Sequence, residues 1–181
     1  QLCWHVGHMK SSVGGASTVL ALKYGSPDVG DTAGLLAVGA GDGALRLFDT
    51  ATSLPVLTFT SYFGAVRCID WSSDGKYLLT GGEDDNVLVW SLEEKRQIAR
   101  CVGHSSWISD VHFLSWAASA AGHQQQRDGV YTFASAGEAA WPSPASGRLH
   151  ECRVTAAAAD GYGHLPKSRS DRSTPCGCTA C

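Results

Sequence analysis

The sequence of 181 residues lacks long hydrophobic runs: it holds no stretch of about 18 or more apolar residues. Its first ten residues, QLCWHVGHMK, also lack the apolar segment of a secretory signal. A helix needs about 20 mostly apolar residues to cross a bilayer. We therefore expect neither a membrane span nor secretion, and we expect an intracellular protein of the cytoplasm, the nucleus or both.

The sequence also has little of what nucleic-acid, nucleotide and enzyme sites require. Its 14 Lys and Arg residues are scattered and its net charge is −3, which does not favour a nucleic-acid partner. It has no Gly-x-x-x-x-Gly-Lys phosphate loop and no Gly-x-Ser-x-Gly elbow. A hydrolase triad is defined by the relative positions of its side chains in space. His104, Ser105 and Asp110 lie too close together along one segment to suggest such a triad. We expect no enzymatic activity, no cofactor and no small-molecule substrate.

The seven cysteines are odd in number and unevenly placed. Without a secretory signal, this usage indicates free intracellular thiols rather than a disulfide framework. Cys176, Cys178 and Cys181 could join His164 around zinc, but three clustered thiols fall short of the four ligands of a structural site. We favour an unstructured tail without a metal. Because the chain does not begin with methionine, we also expect a fragment or an incomplete gene model.

Two separate stretches of the sequence repeat with one period of 42 residues. Gly39–Asp49 aligns with Gly81–Ser91, and Val66–Trp71 aligns with Ile108–Phe113. This period lies within the range of about 40–45 residues that a four-stranded propeller blade occupies. Short strands rich in β-branched and aromatic residues alternate with turn signals, which is typical of all-β folds. The sequence predicts an all-β fold: a partial β-propeller of about two and a half four-stranded blades.

The repeat divides the chain into segments of unequal completeness. Residues 1–59 are predicted to form a weak first blade, 60–101 a well-defined blade, and 102–138 the start of a further blade with an inserted loop at 117–129. The predicted strands are Thr18–Leu22, Leu35–Gly39, Leu45–Asp49, Pro55–Phe59, Val66–Trp71, Tyr77–Thr80, Asn86–Trp90, Arg96–Cys101 and Trp107–Phe113, with a last strand and the start of its turn in Val130–Glu138.

The repeat pattern ends abruptly after Glu138. Ala139 stands where the turn residue Asp84 stands in the previous blade, and no third strand is predicted to follow. Residues 139–181 are rich in Ala, Ser, Gly and Pro and show no periodicity, a composition typical of disorder. We interpret them as a disordered tail, or as aberrant sequence from a translated intron or a frameshift.

The repeat resembles the WD-repeat (WD40) family, whose blades carry Gly-His before the first strand, Asp between the second and third strands, and Trp-Asp at the end of the third. The residues that fit this pattern wholly or in part are Gly103-His104, Asp42, Asp84, Phe48-Asp49 and Trp90-Ser91. Ser61–Gly64 (SYFG), Gly81–Asp85 (GGEDD) and Gly103–Trp107 (GHSSW) are together similar to one subfamily. It contains the fungal catabolite-repression regulator CreC and the animal dystrophia-myotonica-associated WD-repeat protein. The resemblance implies an accessory subunit that binds and regulates a ubiquitin-specific protease and is not itself a protease.

The resemblance also implies a structural role for a set of blade residues. In such blades a His, a second-strand Ser or Thr, the turn Asp and the third-strand Trp form a hydrogen-bonded network, because buried polar groups need partners. The middle blade has the Thr, Asp and Trp but lacks the His, and the last blade has the His and Ser but lacks the Asp and Trp. The set comprises Thr80, Asp84, Trp90, Asp42, Phe48, His104 and Ser135.

Phe63 and Trp107 are the predicted contacts for a protein partner, with Tyr62 and Trp141 as weaker candidates. Phe63 and Trp107 both lie in loops that lead from an outer strand into the first strand of the next blade, and such loops reach one rim of a propeller. Exposed aromatic side chains are typical anchors of protein interfaces, and the resemblance implies that these two positions contact the protease. The alternative is that each ring packs beneath its own loop.

Two other functions stay open from the sequence. The protein could be a generic WD-repeat scaffold of another complex, such as a ubiquitin ligase, or it could be a non-functional gene fragment. A generic scaffold differs from an accessory subunit of a protease in the identity of its partner.

Overall fold

The computed structural model describes residues 17–25, 33–61, 63–114, 130–138, 148–155 and 177–180. The described residues form twelve strands. These are β1 (Val19–Tyr24), β2 (Leu35–Ala40), β3 (Ala44–Asp49), β4 (Pro55–Thr60), β5 (Val66–Trp71), β6 (Tyr77–Gly82), β7 (Asn86–Ser91), β8 (Arg96–Val102), β9 (Ile108–Phe113), β10 (Val130–Gly137), β11 (Arg148–Thr155) and β12 (Gly177–Ala180). Within the described ranges, no helix is long and apolar enough to cross a membrane.

The strands form three antiparallel sheets of neighbouring strands. The first sheet has the order β1-β2-β3-β4, the second β12-β8-β7-β6-β5, and the third β11-β10-β9. Strand β5, at one edge of the second sheet, packs against β1 and against β9, each at an edge of its own sheet. The predicted all-β fold, a partial propeller of antiparallel sheets, is confirmed.

The second sheet is buried on both faces, because successive residues of a strand point to opposite sides. Leu78, Leu88 and Trp90 belong to a hydrophobic cluster shared with the first sheet. Leu79 and Val89, one position along from Leu78 and Leu88, belong to a cluster shared with the third sheet. All six residues of β7 are buried. The nearly continuous apolar sequence of this strand follows from its place between two neighbouring sheets.

Polar contacts of Asp70 tie the three sheets together at their inner strands. Its carboxylate oxygen Oδ1 lies 3.1 Å from the Nζ atom of Lys23 on β1. Its Oδ2 atom accepts a hydrogen bond of 2.8 Å from the backbone N–H of Phe113 on β9. The indole N–H of Trp71 donates to the carbonyl of Lys23 at 3.2 Å. The inner strands are therefore held by directional bonds as well as by apolar packing.

The prediction that no third strand follows Glu138 is wrong. Strand β11 pairs with β10 along its whole length, from Gly137↔Arg148 to Val130↔Thr155. The hydrogen bonds between paired strands join backbone N–H and C=O groups. Strand β11 (RLHECRVT) can therefore pair with β10 although it lacks the apolar pattern and the terminal Trp-Asp of the repeat. Another tail segment, β12, pairs with the outer strand β8 of the second sheet.

The observed strands differ from the other predicted bounds by two residues or fewer at each end. Several predictions fall outside the described residues: Tyr62, Trp141, His164, Cys176, Cys181 and the inserted loop at 117–129. Cys68 and Cys101 are both buried, and Cys68 is a free thiol. Burial, with a further contribution from the negative charge of Asp110, raises the pKa of Cys68 to about 12, so this thiol is protonated and unreactive at neutral pH.

Candidate protein-binding rim

Two turns and two loops meet at one end of the sheets, and we call this end the loop rim. It comprises the β2–β3 turn (residues 41–43), the loop before β5 (61 and 63–65), the β6–β7 turn (83–85) and the loop before β9 (103–107). The backbone N–H of Ser61 donates to Gly43 O at 2.8 Å, and that of Glu83 donates to Ala65 O at 3.1 Å. These bonds join the loop before β5 to the turns on either side of it.

Phe63 is exposed because its loop is held tightly between these two turns. Gly43 has a φ of 78° and Gly64 a φ of 74°, a region that glycine adopts without steric cost. A Cβ atom on Gly43 would lie 2.7 Å from Gly64 O, and a Cβ atom on Gly64 would lie 2.9 Å from the Cβ of Glu83. The backbone thus occupies the space beneath the loop, and 75% of the Phe63 surface is open to solvent. This exposure argues against the alternative that Phe63 packs beneath its own loop.

Trp107 occupies the corresponding loop before β9 and is 44% exposed. Its carbonyl accepts a hydrogen bond of 2.8 Å from the backbone N–H of Glu138, which ties the loop to the end of β10. The guanidinium carbon of Arg67, on β5, lies 4.9 Å from the centroid of the Trp107 ring. This distance is within the range of a cation–π contact. One side of the indole is therefore covered by a cation, while much of the ring remains accessible.

Arg67 and Glu83 connect the surroundings of the two aromatic residues. The Nη1 atom of Arg67 lies 4.0 Å from Oε1 of Glu83, and Oε2 of Glu83 accepts a hydrogen bond of 3.4 Å from the backbone N–H of Ala65. Neither residue was predicted as a site residue from the sequence. In the sequence Arg67 is a single charge within a strand and Glu83 is part of an acidic turn. Only the folded chain brings Arg67 to the Trp107 ring and Glu83 to the loop before β5.

The predicted network of the middle blade consists of two separate pairs. The indole N–H of Trp90 donates to Thr80 Oγ1 at 2.9 Å, and both residues are buried. The Oδ2 atom of Asp84 accepts a 3.5 Å hydrogen bond from the hydroxyl of Ser61, a residue that the sequence analysis did not select. Burial raises the pKa of Asp84 above its ordinary value. Ser61 thus joins the loop before β5 to the turn aspartate.

In the last blade, the predicted network residues His104 and Ser135 are in contact. The Nε2 atom of His104 lies 2.8 Å from Ser135 Oγ. A Cβ atom on Gly137 would lie 2.4 Å from Nδ1 of His104, so the imidazole is packed directly against the end of β10. This contact and the backbone bond of Trp107 hold the loop before β9 at both ends.

In the first blade, apolar side chains occupy the positions that the hydrogen-bonded Thr80 and Trp90 occupy in the middle blade. With the offset of 42 residues, Val38 stands where Thr80 stands and Phe48 stands where Trp90 stands. Val38 is fully buried, and Phe48 packs against its cluster. The turn residue Asp42 instead accepts two hydrogen bonds from Arg46, at 3.1 and 2.6 Å. These bonds lower the pKa of Asp42.

Comparison with known proteins bears on the middle of the chain. Residues 53–91 match the family described as WD domain, G-beta repeat. The matched segment includes β4 of the first sheet and β5, β6 and β7 of the second. The chain is 42% identical over 81 residues to the UBP9-binding protein bun62 of Schizosaccharomyces pombe, a match that covers 45% of this chain and 15% of that relative. The chain therefore spans only a small part of the relative's length. Residues 53–91 therefore match a WD repeat, and they lie in the first two antiparallel sheets of the partial propeller.

Proposed function

We propose that the protein is a non-catalytic scaffold that binds and regulates a ubiquitin-specific protease through Phe63 and Trp107 on the loop rim. The observation that carries the proposal is the 75% exposure of Phe63 on a loop whose backbone is bonded to both neighbouring turns. A large apolar side chain in this state gains free energy when a partner covers it. The gain for a phenylalanine that becomes fully buried is about 1.5–3 kcal/mol.

The fixed backbone of the rim makes its two aromatic side chains effective anchors. A binding site loses less conformational entropy when its loops are ordered before the partner arrives. The loops of Phe63 and Trp107 are both held by backbone hydrogen bonds of 2.8–3.1 Å. Aromatic residues in such settings dominate the binding energy of many protein interfaces.

Two similarities support a ubiquitin-specific protease as the partner. The chain is 42% identical over 81 residues to a protein named for binding UBP9. Its SYFG, GGEDD and GHSSW segments resemble a subfamily of accessory subunits of ubiquitin-specific proteases. We therefore take UBP9 of S. pombe as the probe for this function.

We predict that Phe63→Ala and Trp107→Ala each weaken the binding of the 181-residue chain to purified UBP9. Truncating an interface hot spot costs about 2 kcal/mol or more, which corresponds to a rise of about 30-fold in Kd. Isothermal titration calorimetry measures this change directly, and circular dichroism verifies that the variants keep the β-structure of the wild type.

Leu54→Ala is the matched control for these two variants. Leu54 is also an exposed apolar residue, at 63%, but it lies in the β3–β4 connection at the opposite end of the strands. It should leave the Kd within about twofold, because surface substitutions outside an interface have small effects. Wild-type affinity in the Phe63→Ala and Trp107→Ala variants would contradict the proposed site, and a wild-type chain that does not bind UBP9 would favour a scaffold for another complex.

A further inference from the structure

The side chain of Trp107 needs a partner within the protein to hold its orientation. Its backbone is fixed by the bond from Glu138, but Trp107 belongs to none of the buried clusters among the described residues. Its ring is instead in contact with the Arg67 guanidinium, 4.9 Å from the ring centroid. The cation therefore restricts a side chain that core packing leaves partly exposed.

Arg67 is itself restrained by the acidic turn of the rim. Its guanidinium faces the carboxylate of Glu83, with 4.0 Å between Nη1 and Oε1. Glu83 is in turn fixed by two bonds with Ala65: its N–H donates to the Ala65 carbonyl at 3.1 Å, and its Oε2 atom accepts from the Ala65 N–H at 3.4 Å. Contacts thus run from the loop of Phe63 through Glu83 and Arg67 to the Trp107 ring.

We infer that Arg67 is a positioning residue of the partner-binding site, which holds the Trp107 ring in the orientation that the partner meets. This inference rests on the proposed function of the rim. Arg67 acts through Trp107 rather than through contacts of its own, and Glu83 links its position to the Phe63 loop. The two aromatic anchors therefore form one prearranged surface. A guanidinium suits this role because its planar form can stack on the indole while its edge faces a carboxylate.

The contact between Arg67 and Trp107 can be tested without a partner. The full chain is labelled with 5-fluorotryptophan, and the Trp107 resonance is assigned by its loss in Trp107→Phe. Arg67→Met, which keeps the length of the side chain and removes its charge, should shift or broaden this resonance. Arg96→Met is the matched control, because Arg96 is paired with Glu94 at the start of β8, at the opposite end of the strands. A Trp107 resonance that does not change in Arg67→Met would overturn the inference.

A double-mutant cycle with UBP9 tests the positioning role in binding. Arg67→Met should weaken binding about fivefold when Trp107 is present and less than about twofold in the Trp107→Ala background, because residues that act through one another are not additive. Arg67→Lys keeps the charge and should recover part of the affinity. Arg96→Met should bind like the wild type.

The outcomes of the cycle separate this inference from the proposed function. If Arg67→Met costs the same affinity with and without Trp107, Arg67 acts on the partner independently and the positioning role is wrong. If Trp107→Ala weakens binding while Arg67→Met does not, the site stands and only the positioning role fails. If Trp107→Ala binds like the wild type, the proposed site and this inference both fail.

Discussion

Single residues of the WD repeat serve two different purposes. Thr80 and Trp90 are buried and bonded to each other, so they hold the blade together. Phe63 and Trp107 lie exposed on the rim. Burial thus distinguishes the side chains that hold the blade together from the two that a partner can reach.

The residues that the sequence analysis missed share one property. Ser61, Arg67 and Glu83 owe their contacts to a loop or turn that is distant in the sequence. A repeat alignment compares equivalent positions in successive blades, whereas these contacts join unlike positions. Ser61 and Glu83 join the loop before β5 to the β6–β7 turn, and Arg67 reaches the loop before β9 of the next sheet. Such contacts depend on how neighbouring sheets pack, which the period alone does not determine.

At the residue scale, we predict that Thr80→Val lowers the free energy of unfolding, although the first blade has a valine, Val38, at the equivalent position. The substitution leaves the buried indole N–H of Trp90 without its acceptor, at a cost of about 1–3 kcal/mol. Adding Trp90→Phe removes the unsatisfied donor and recreates the Val38–Phe48 combination of the first blade. The double variant should be more stable than the sum of the two single effects by about 1 kcal/mol. Urea unfolding monitored by circular dichroism measures these values, and strict additivity would show that the Thr80–Trp90 bond contributes little.

Strands and turns are the scale at which the sequence was most informative. Strands of the 42-residue repeat are rich in β-branched and aromatic residues and are bounded by turn signals such as Asp42-Gly43 and Asp74-Gly75, so they were predicted to within about two residues. Strand β11 was missed because its sequence, RLHECRVT, has no continuous apolar face to compare with that of β7. Backbone pairing with β10 requires no such face, and this is why the loss of a sequence period did not mean the loss of a strand.

At the element scale, the contact between β10 and the β5–β6 turn predicts a pH dependence of stability. The hydroxyl of Tyr131 donates to Asp74 Oδ2 at 2.5 Å. Burial raises the pKa of Asp74, but hydrogen bonds from Tyr131, Ser72 and the Lys76 N–H outweigh it, so the pKa lies below its ordinary value of 3.8. The folded state therefore binds this proton less readily than the unfolded state. The contribution of Asp74 to stability is present above about pH 4 and is lost as the pH falls through the folded-state pKa.

Tyr131→Phe should reduce this contribution, because it removes one donor and lets the pKa of Asp74 rise towards its ordinary value. The variant should be less stable than the wild type at pH 6, and the difference should shrink as the pH falls below about 4. Urea unfolding at several pH values measures this convergence. Tyr77→Phe is the control, since Tyr77 packs edge-to-face against Tyr131 with 4.6 Å between ring centroids but its hydroxyl is not among the described donors to Asp74. A constant difference between wild type and Tyr131→Phe across this pH range would contradict the role of Asp74.

At the scale of the whole molecule, the second sheet packs against the first sheet on one face and against the third sheet on the other. The first sheet presents apolar side chains of β1, namely Leu20, Leu22 and Tyr24, to solvent. These three residues alternate along the strand, whereas Ala21 and Lys23 face the second sheet. The loop rim lies at the two boundaries between sheets, so each aromatic anchor depends on the packing of two sheets rather than on one blade alone.

The central claim is that the loop rim binds a ubiquitin-specific protease through Phe63 and Trp107, and competition with the relative tests it most directly. Fluorescently labelled bun62 is bound to UBP9, and the unlabelled 181-residue chain is titrated into the complex while fluorescence anisotropy is recorded. We predict that the wild-type chain and Leu54→Ala displace bun62 with similar midpoints. The Phe63→Ala/Trp107→Ala double variant should not displace it over the same concentration range. Displacement by the double variant at the wild-type midpoint, or no displacement by the wild-type chain, would contradict the account.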